Sequence, residues 1–261
     1  SMKYAACIEY DGSAYNGWQY QDHAPSVQGD VEEAISKVAN HSVKIICAGR
    51  TDTGVHGVGQ IIHFESNAER SIDAWQFGTN SNLPHTTVMR WIQPVDDSFH
   101  ARFSAGARRY RYIILNRGTR PALLSKRVAW HRRPLDHEPM QAASQYLLGE
   151  HDFTSLRAAG CQAKHAVRTI HDIQISREGD LIYLDVKANA FLYHMVRNIA
   201  GTLFVIGEGK QPVEWLPELM QKQDRREAGA TAPPGGLYFV HVDYPKQFEL
   251  PTTYTLPAFN L

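Results

Sequence analysis

The sequence has no apolar run approaching the roughly 20 residues needed to cross a bilayer. It also shows no basic stretch followed by an apolar one near its start, so neither a membrane segment nor a secretory signal is expected. Cysteine is scarce: Cys7, Cys47 and Cys161 are odd in number, far apart and without a Cys-x-x-Cys pair. That pattern excludes a disulfide framework and a cysteine zinc site, and a reduced, cytoplasmic protein is expected. The 13 histidines form no His-Glu-x-x-His, and Cys161 with His165 makes only a weak metal pair, so no metal is expected. No Gly-x-Gly-x-x-Gly follows a strand. The segment Gly207-Glu208-Gly209-Lys210 lacks the upstream glycine and the Ser/Thr of a phosphate loop, so no nucleotide cofactor is expected either. Net charge is absent too, with 27 basic against 27 acidic side chains.

What is present is an ordinary globular composition, 43% hydrophobic and 21% charged, over 261 residues, enough for one large domain or two ordinary ones. Ser1 ahead of Met2 reads as a remnant of expression and is set aside. The basic residues are clustered at Arg102, Arg108, Arg109 and Arg111, at Lys126, Arg127, Arg132 and Arg133, and at Arg157, Lys164 and Arg168. A chain neutral in total but polarised in this way can still offer phosphates a positive face; solvated surface arginines are the plainer explanation.

Lys3 to Tyr10 alternates as a strand, ending at Asp11-Gly12. Ser26 is placed to cap a helix in which Val27, Val31, Ala34, Ile35 and Val38 recur at helical spacing. Further strands are predicted at Val43–Cys47, Gln60–Phe64, Ala107–Leu115 and Leu237–Val242, with a hairpin joining Ile170–Ser176 to Leu181–Ala188. Helices are predicted from Asp73 to Ser81, between Pro139 and Leu148, and from Phe191 to Ile206, where Gly207 and Gly209 follow as stops. Mixed elements without a strict βαβ repeat indicate an α+β fold with a largely antiparallel sheet. The similar order in the two halves hints at a duplicated unit.

Three places could carry chemistry. In Gly49-Arg50-Thr51-Asp52-Thr53-Gly54-Val55-His56 an Asp precedes a Thr-Gly turn, and turn chemistry accounts for most such loops. Here, however, Arg50, Asp52, His56 and several glycines crowd together. Glycines admit close approach of a ligand, and a guanidinium keeps a neighbouring carboxylate ionised, as a nucleophile or base requires. In the apolar helix from Phe191, His194, Arg197 and Gly201 fall on one face. A buried arginine needs a carboxylate partner, either a structural one or Asp52. Finally, Arg108-Arg109-Tyr110-Arg111-Tyr112 interleaves basic and aromatic residues, which suits an unpaired base with its phosphates or an ordinary edge strand.

The chain resembles the TruA-type tRNA pseudouridine synthases from Tyr10 to about Pro245. The resemblance is carried by Tyr10-Asp11-Gly12 with Gly17-Trp18-Gln19, Gly49 to His56, Phe99-His100-Ala101-Arg102 with Arg109 to Tyr112, Phe153-Thr154-Ser155-Leu156, Met195-Val196-Arg197-Asn198, and Ala232-Pro233-Pro234 with Gly236-Leu237. Tyr15 and Gly57 depart from the family's usual Phe and Ala. The resemblance implies two ferredoxin-like, RRM-like α+β halves joined through a continuous, mainly antiparallel sheet, with a basic cleft between them. The halves would be residues 1–98 and 99–245, with an irregular tail at 246–261. It also implies conversion of uridine to pseudouridine in the tRNA anticodon stem-loop, at positions 38–40, by a homodimer without cofactor or metal. Asp52 would be the catalytic carboxylate, attacking ribose C1′ or the base, or removing a ribose proton. Tyr110 would stack on the base, Arg197 would pair with Asp52, Arg50 would hold the flipped nucleotide or its vacated space, and Leu237 would wall the uracil. A non-catalytic tRNA binder on the same fold and a metal-dependent RNA hydrolase are the competing readings.

Overall fold

The computed structural model describes residues 1–159, 161 and 163–261. Their contacts group into two units, Ser1–Gly106 with Tyr238–Leu256, and Ala107–Leu237 with Pro257–Leu261. Each unit combines helices with a mostly antiparallel sheet, which makes the chain α+β.

The first unit begins with β1 (Met2–Tyr10), α1 (Val27–Ala39), β2 (Ile46–Cys47), β3 (His56–Ser66), α2 (Ile72–Ser81) and β4 (Thr87–Val95). β1 lies antiparallel between β3 and β4, and β2 adds antiparallel to β3. The alternation read in β1 puts Tyr4, Ala6, Ile8 and Tyr10 into one core with Val27, Val31 and Ile35 of α1 and Trp75 of α2. Burying each large side chain of that kind contributes about 1.5–3 kcal/mol. Ser26 caps α1 as expected, its hydroxyl accepting from Gly29 N–H at 3.0 Å.

Two expectations fail here for a physical reason. Val43–Cys47 pairs as a strand only at Ile46 and Cys47. Val43 N–H donates instead to the Ser36 hydroxyl and Ile45 N–H to the Glu32 carboxylate, each at 2.9 Å, so side chains of α1 take the bonds a ladder would use. β4 was not among the expected elements because Pro94 and Arg90 interrupt its apolar pattern. That proline stands opposite Tyr4 on a strand at the sheet edge, where proline is tolerated.

The second unit holds β5 (Ala107–Asn116), β6 (Ala129–His131), α3 (His137–Ser144), β7 (Gly149–Asp152), β8 (Val167–Glu178), β9 (Leu181–Ala188), α4 (Met195–Gly207) and α5 (Trp215–Lys222). β9 lies antiparallel between β5 and β8, β7 pairs with β8, and β6 runs parallel to β5. The hairpin forms as read, with Gly179 at φ 62°. Helix α4 starts four residues later than its apolar pattern suggests. His194 is its N-cap at φ 61°, and the chain before it makes a turn, through Tyr193 and His194, in which Leu192 C=O accepts from Met195 N–H at 3.0 Å. His194 therefore does not share a helical face with Arg197 and Gly201.

The chain then enters β10 (Leu237–Asp243), which pairs parallel with β3 at Tyr238–His56 and Phe239–Gly57. This strand returns residues 238–256 to the first unit, whereas the sequence groups 99–245 together. Phe99 to Gly106 also stays with the first unit. Ala101 N–H donates to His63 Nδ1 at 2.9 Å, and Phe99 packs against Tyr244 and Phe248.

Candidate active site

Asp52 is half-buried in the loop between β2 and β3. Its C=O accepts from Val55 N–H at 3.0 Å across a turn in which Gly54 takes φ 86°, so the turn chemistry read from the sequence is present. The loop is also held from outside. Thr51 is tied twice, its C=O accepting from Trp18 N–H at 3.0 Å and its Oγ1 lying 2.8 Å from the Tyr10 hydroxyl. Burial pushes that phenol far above its usual range, so it stays protonated. Gly49 C=O accepts from Gln60 Nε2 at 2.6 Å. Arg50, exposed, thus sits between two anchored residues.

Glycine contacts explain why Tyr10-Asp11-Gly12 and Gly17-Trp18 accompany the Asp52 segment. A Cβ on Gly17, at φ 89°, would come 3.1 Å from Thr51 O and 3.5 Å from Asp52 C. A Cβ on Gly12 would come 1.9 Å from Val55 O. Gly12 N–H also donates to Nδ1 of the buried His56 at 2.9 Å. An Nδ1 that accepts carries no proton, so the imidazole is neutral although the Asp11 carboxylate lies 3.5 Å away. Its ring stacks on Tyr238 with centroids 4.7 Å apart. The sequence pointed to Asp52; for Tyr10 and Gly12 as holders of its loop the signals were the Tyr10-Asp11-Gly12 segment and the density of glycines, and for Gln60 there was none.

In the second unit, Arg197 lies half-buried in the first turn of α4. Its Nε donates to Ala232 O at 2.8 Å, and Ala232 N–H donates back to Arg197 O at 3.1 Å. One turn on, a Cβ at Gly201 would meet Ala230 O at 1.7 Å, so only glycine lets this backbone pass. Asn198, fully buried, donates to Leu156 O at 2.9 Å while its Oδ1 accepts from Thr231 at 2.6 Å and from Arg225 at 2.9 Å. Phe153–Leu156, Met195–Asn198 and Ala232–Pro234, distant in sequence, are thereby laced into one frame around the arginine.

Tyr110 on β5 is half-buried, with its ring edge-on to Phe191 at 4.9 Å. Tyr112, on the same face, is fully buried and donates to Pro233 O at 2.7 Å. Burial raises its phenol pKa, against the opposing pull of the Arg197 charge. Leu237 is 6% exposed at the start of β10. Tyr110, Arg197 and Leu237 thus belong to one unit, and Arg50 and Asp52 to the other.

The basic strand needs one correction. Arg111 is not a solvated surface charge: it is buried, donates to both Asp185 oxygens at 2.7 and 2.9 Å and to Pro257 O at 3.0 Å, and lies 4.2 Å over the Tyr183 ring. Its charge is already matched inside the fold. Among the described residues no group of three or more His, Cys, Asp or Glu side chains is arranged to hold a metal ion. No helix of the described residues is long and apolar enough to cross a membrane.

The profile of the family described as tRNA pseudouridine synthase matches residues 6–104 and 143–245. Among curated relatives, tRNA pseudouridine synthase A of Hydrogenovibrio crunogenus is 56% identical over 94% of this chain and 93% of its own length. The proteins of the same name from Coxiella burnetii and Shewanella piezotolerans are each 54% identical, over 97% and 100% of this chain and the same shares of their own lengths. Both frames built above, Tyr10 to His56 in one unit and Phe153 to Pro234 in the other, fall within or across the matched stretches. With more than half its length matched and relatives this similar end to end, the chain belongs to the tRNA pseudouridine synthase family, isomerases that convert uridine in tRNA to pseudouridine.

Proposed function

We propose that the chain isomerises uridines of the tRNA anticodon stem-loop, at positions 38–40, with Asp52 as the catalytic carboxylate. The observation that supports this most is the doubly anchored loop. Thr51 and Val55 are both held by backbone packing, so the carboxylate between them is presented in a defined place, as a nucleophile or base must be. The N1–C1′ bond of the nucleotide breaks, the uracil turns, C5 bonds to C1′, the C5 proton leaves and N1 gains one. Atoms and electrons balance within the substrate, so the reaction calls for no redox cofactor. Asp52 acts at C1′, at the base or on a ribose proton.

Tyr110, with one edge steadied by Phe191, stacks on the base. Arg197 neutralises Asp52 and keeps it ionised. Arg50 grips the flipped nucleotide, and Leu237 walls the uracil. Flipping costs a few kcal/mol of unstacking, which phosphate contacts and the pocket offset. The protein acts as a homodimer in the cytoplasm, where its tRNA substrate is found.

The test is tritium release from tRNA labelled at uridine C5, with modification mapping of the product. Wild-type protein is expected to release tritium at the anticodon stem-loop, while Asp52→Asn binds tRNA and releases none. Binding without release by both proteins would leave only the non-catalytic reading.

A further inference from the structure

The turn Phe99–Ser104 in the first unit is held more tightly than a connection between two strands requires. His100 Nδ1 accepts from the N–H groups of Arg102 at 3.1 Å and Phe103 at 3.0 Å. Ser104 N–H donates to His100 O, and His100 N–H donates to the Ser104 hydroxyl, each at 2.9 Å. Ala101 is pinned on both sides, N–H to His63 Nδ1 at 2.9 Å and C=O from the Tyr244 hydroxyl at 2.5 Å. Beneath it Phe99 is fully buried.

This rigid turn presents an aromatic ring to solvent. Phe103 is 76% exposed. One face of its ring stacks on His100, with centroids 4.2 Å apart and planes at 20°, and His100 in turn meets His63 edge-on at 4.7 Å. Burial lowers the pKa of both imidazoles, so the rings behind Phe103 are neutral near pH 7. The Arg102 guanidinium lies 5.6 Å from the Phe103 centroid. Ile46 of β2, the strand that leads into the Asp52 loop, pairs with His63 of β3, and the same His63 holds this turn through Ala101 N–H.

A single exposed phenylalanine on a mobile loop would need no explanation. A ring fixed in orientation, backed by a stacked imidazole and flanked by an arginine has the form of a base-stacking surface, because any nucleobase offers a π-face and each base is followed by a phosphate. We propose that Phe103 is a stacking platform for an unpaired nucleobase of the tRNA substrate, with Arg102 placed for the adjoining phosphate. This rests on tRNA as substrate. It does not depend on the role given to Asp52.

The experiment compares wild-type, Phe103→Ala, Phe103→Leu and Phe103→Trp proteins for tRNA affinity, tritium release and sedimentation. The side chain packs into no core, so all four are expected to melt alike. Ala and Leu are each expected to weaken tRNA binding about 5- to 100-fold, and Trp to restore it. Tryptophan emission of Phe103→Trp is expected to be quenched by tRNA beyond the quenching seen for wild type. Unchanged affinity in the Ala and Leu variants overturns the proposal. So does full retention by Leu alone, which would show that apolar bulk suffices. A changed sedimentation coefficient with unchanged tRNA binding overturns it in favour of a contact between copies of the chain. Tritium release by wild type in the same preparations reports on the enzyme reading separately.

Discussion

Gly12 tests whether Asp52 works because its loop is held in place. In Gly12→Ala the new methyl would lie 1.9 Å from Val55 O, 2.4 Å from Val55 C and 3.0 Å from Gly54 C, all backbone atoms that cannot rotate away. Relieving the overlap requires a displacement of about 1 Å or more, since ordinary van der Waals contact begins at 3.4 Å. Val55 N–H donates to Asp52 O, so the shift passes directly into the turn that carries the carboxylate. A misplacement of about 1 Å costs on the order of 100-fold in rate. Overpacking itself costs about 1–3 kcal/mol, or a fall in Tm of a few degrees for a chain of this size. The expected result is a folded protein, assayed well below its Tm, with kcat for tritium release down by about 100-fold and KM for tRNA nearly unchanged. Gly59→Ala is the control. Its methyl would lie 2.0 Å from Val240 O, a similar overlap against β10 rather than the Asp52 turn. It should lose comparable stability and much less kcat. Wild-type kcat in a folded Gly12→Ala, or equal losses in both variants, would refute the positioning argument.

Two further outcomes are expected. Burial, with the His100 and Lys3 charges adding to it, lowers the His63 pKa to about 4 from the usual 6.5. The unfolded chain therefore binds the proton more readily. The His63 contribution to stability is fully present above pH 6.5 and falls by about 1.4 kcal/mol per unit as pH drops toward 4, about 3 kcal/mol in all; urea unfolding across that range should show a shallower slope in His63→Asn. Replacing Arg111 by Met strands the Asp185 carboxylate, whose side chain is 15% exposed, and is expected to cost about 3–5 kcal/mol in denaturant unfolding. Its tRNA affinity should be unchanged at temperatures where it remains folded; an affinity loss with unaltered stability would return Arg111 to the phosphate-binding surface.

What the sequence determined by itself was local. Alternation in Lys3–Tyr10, the Ser26 cap with its helical apolar stripe and the Glu178-Gly179-Asp180 hairpin are settled by interactions within a few residues, and each forms as read. The motif segments also identified the family and singled out Asp52, because residue types and short spacings survive in a linear string. Other features depended on partners far along the chain. Val43 and Ile45 leave the ladder because α1 offers their N–H groups a hydroxyl and a carboxylate. α4 begins at Met195 because the turn before it closes through Leu192, with His194 in the left-handed region. Arg111, grouped in the sequence with the clustered surface arginines, is matched inside the second unit by Asp185, whose position only strand pairing decides. The same holds for Asp52. The sequence marked the carboxylate in a glycine-rich turn; only the tertiary structure brought Tyr10, Gly12, Trp18 and Gln60 around it, since packing between segments from 11 to 44 residues apart is not written in either segment alone.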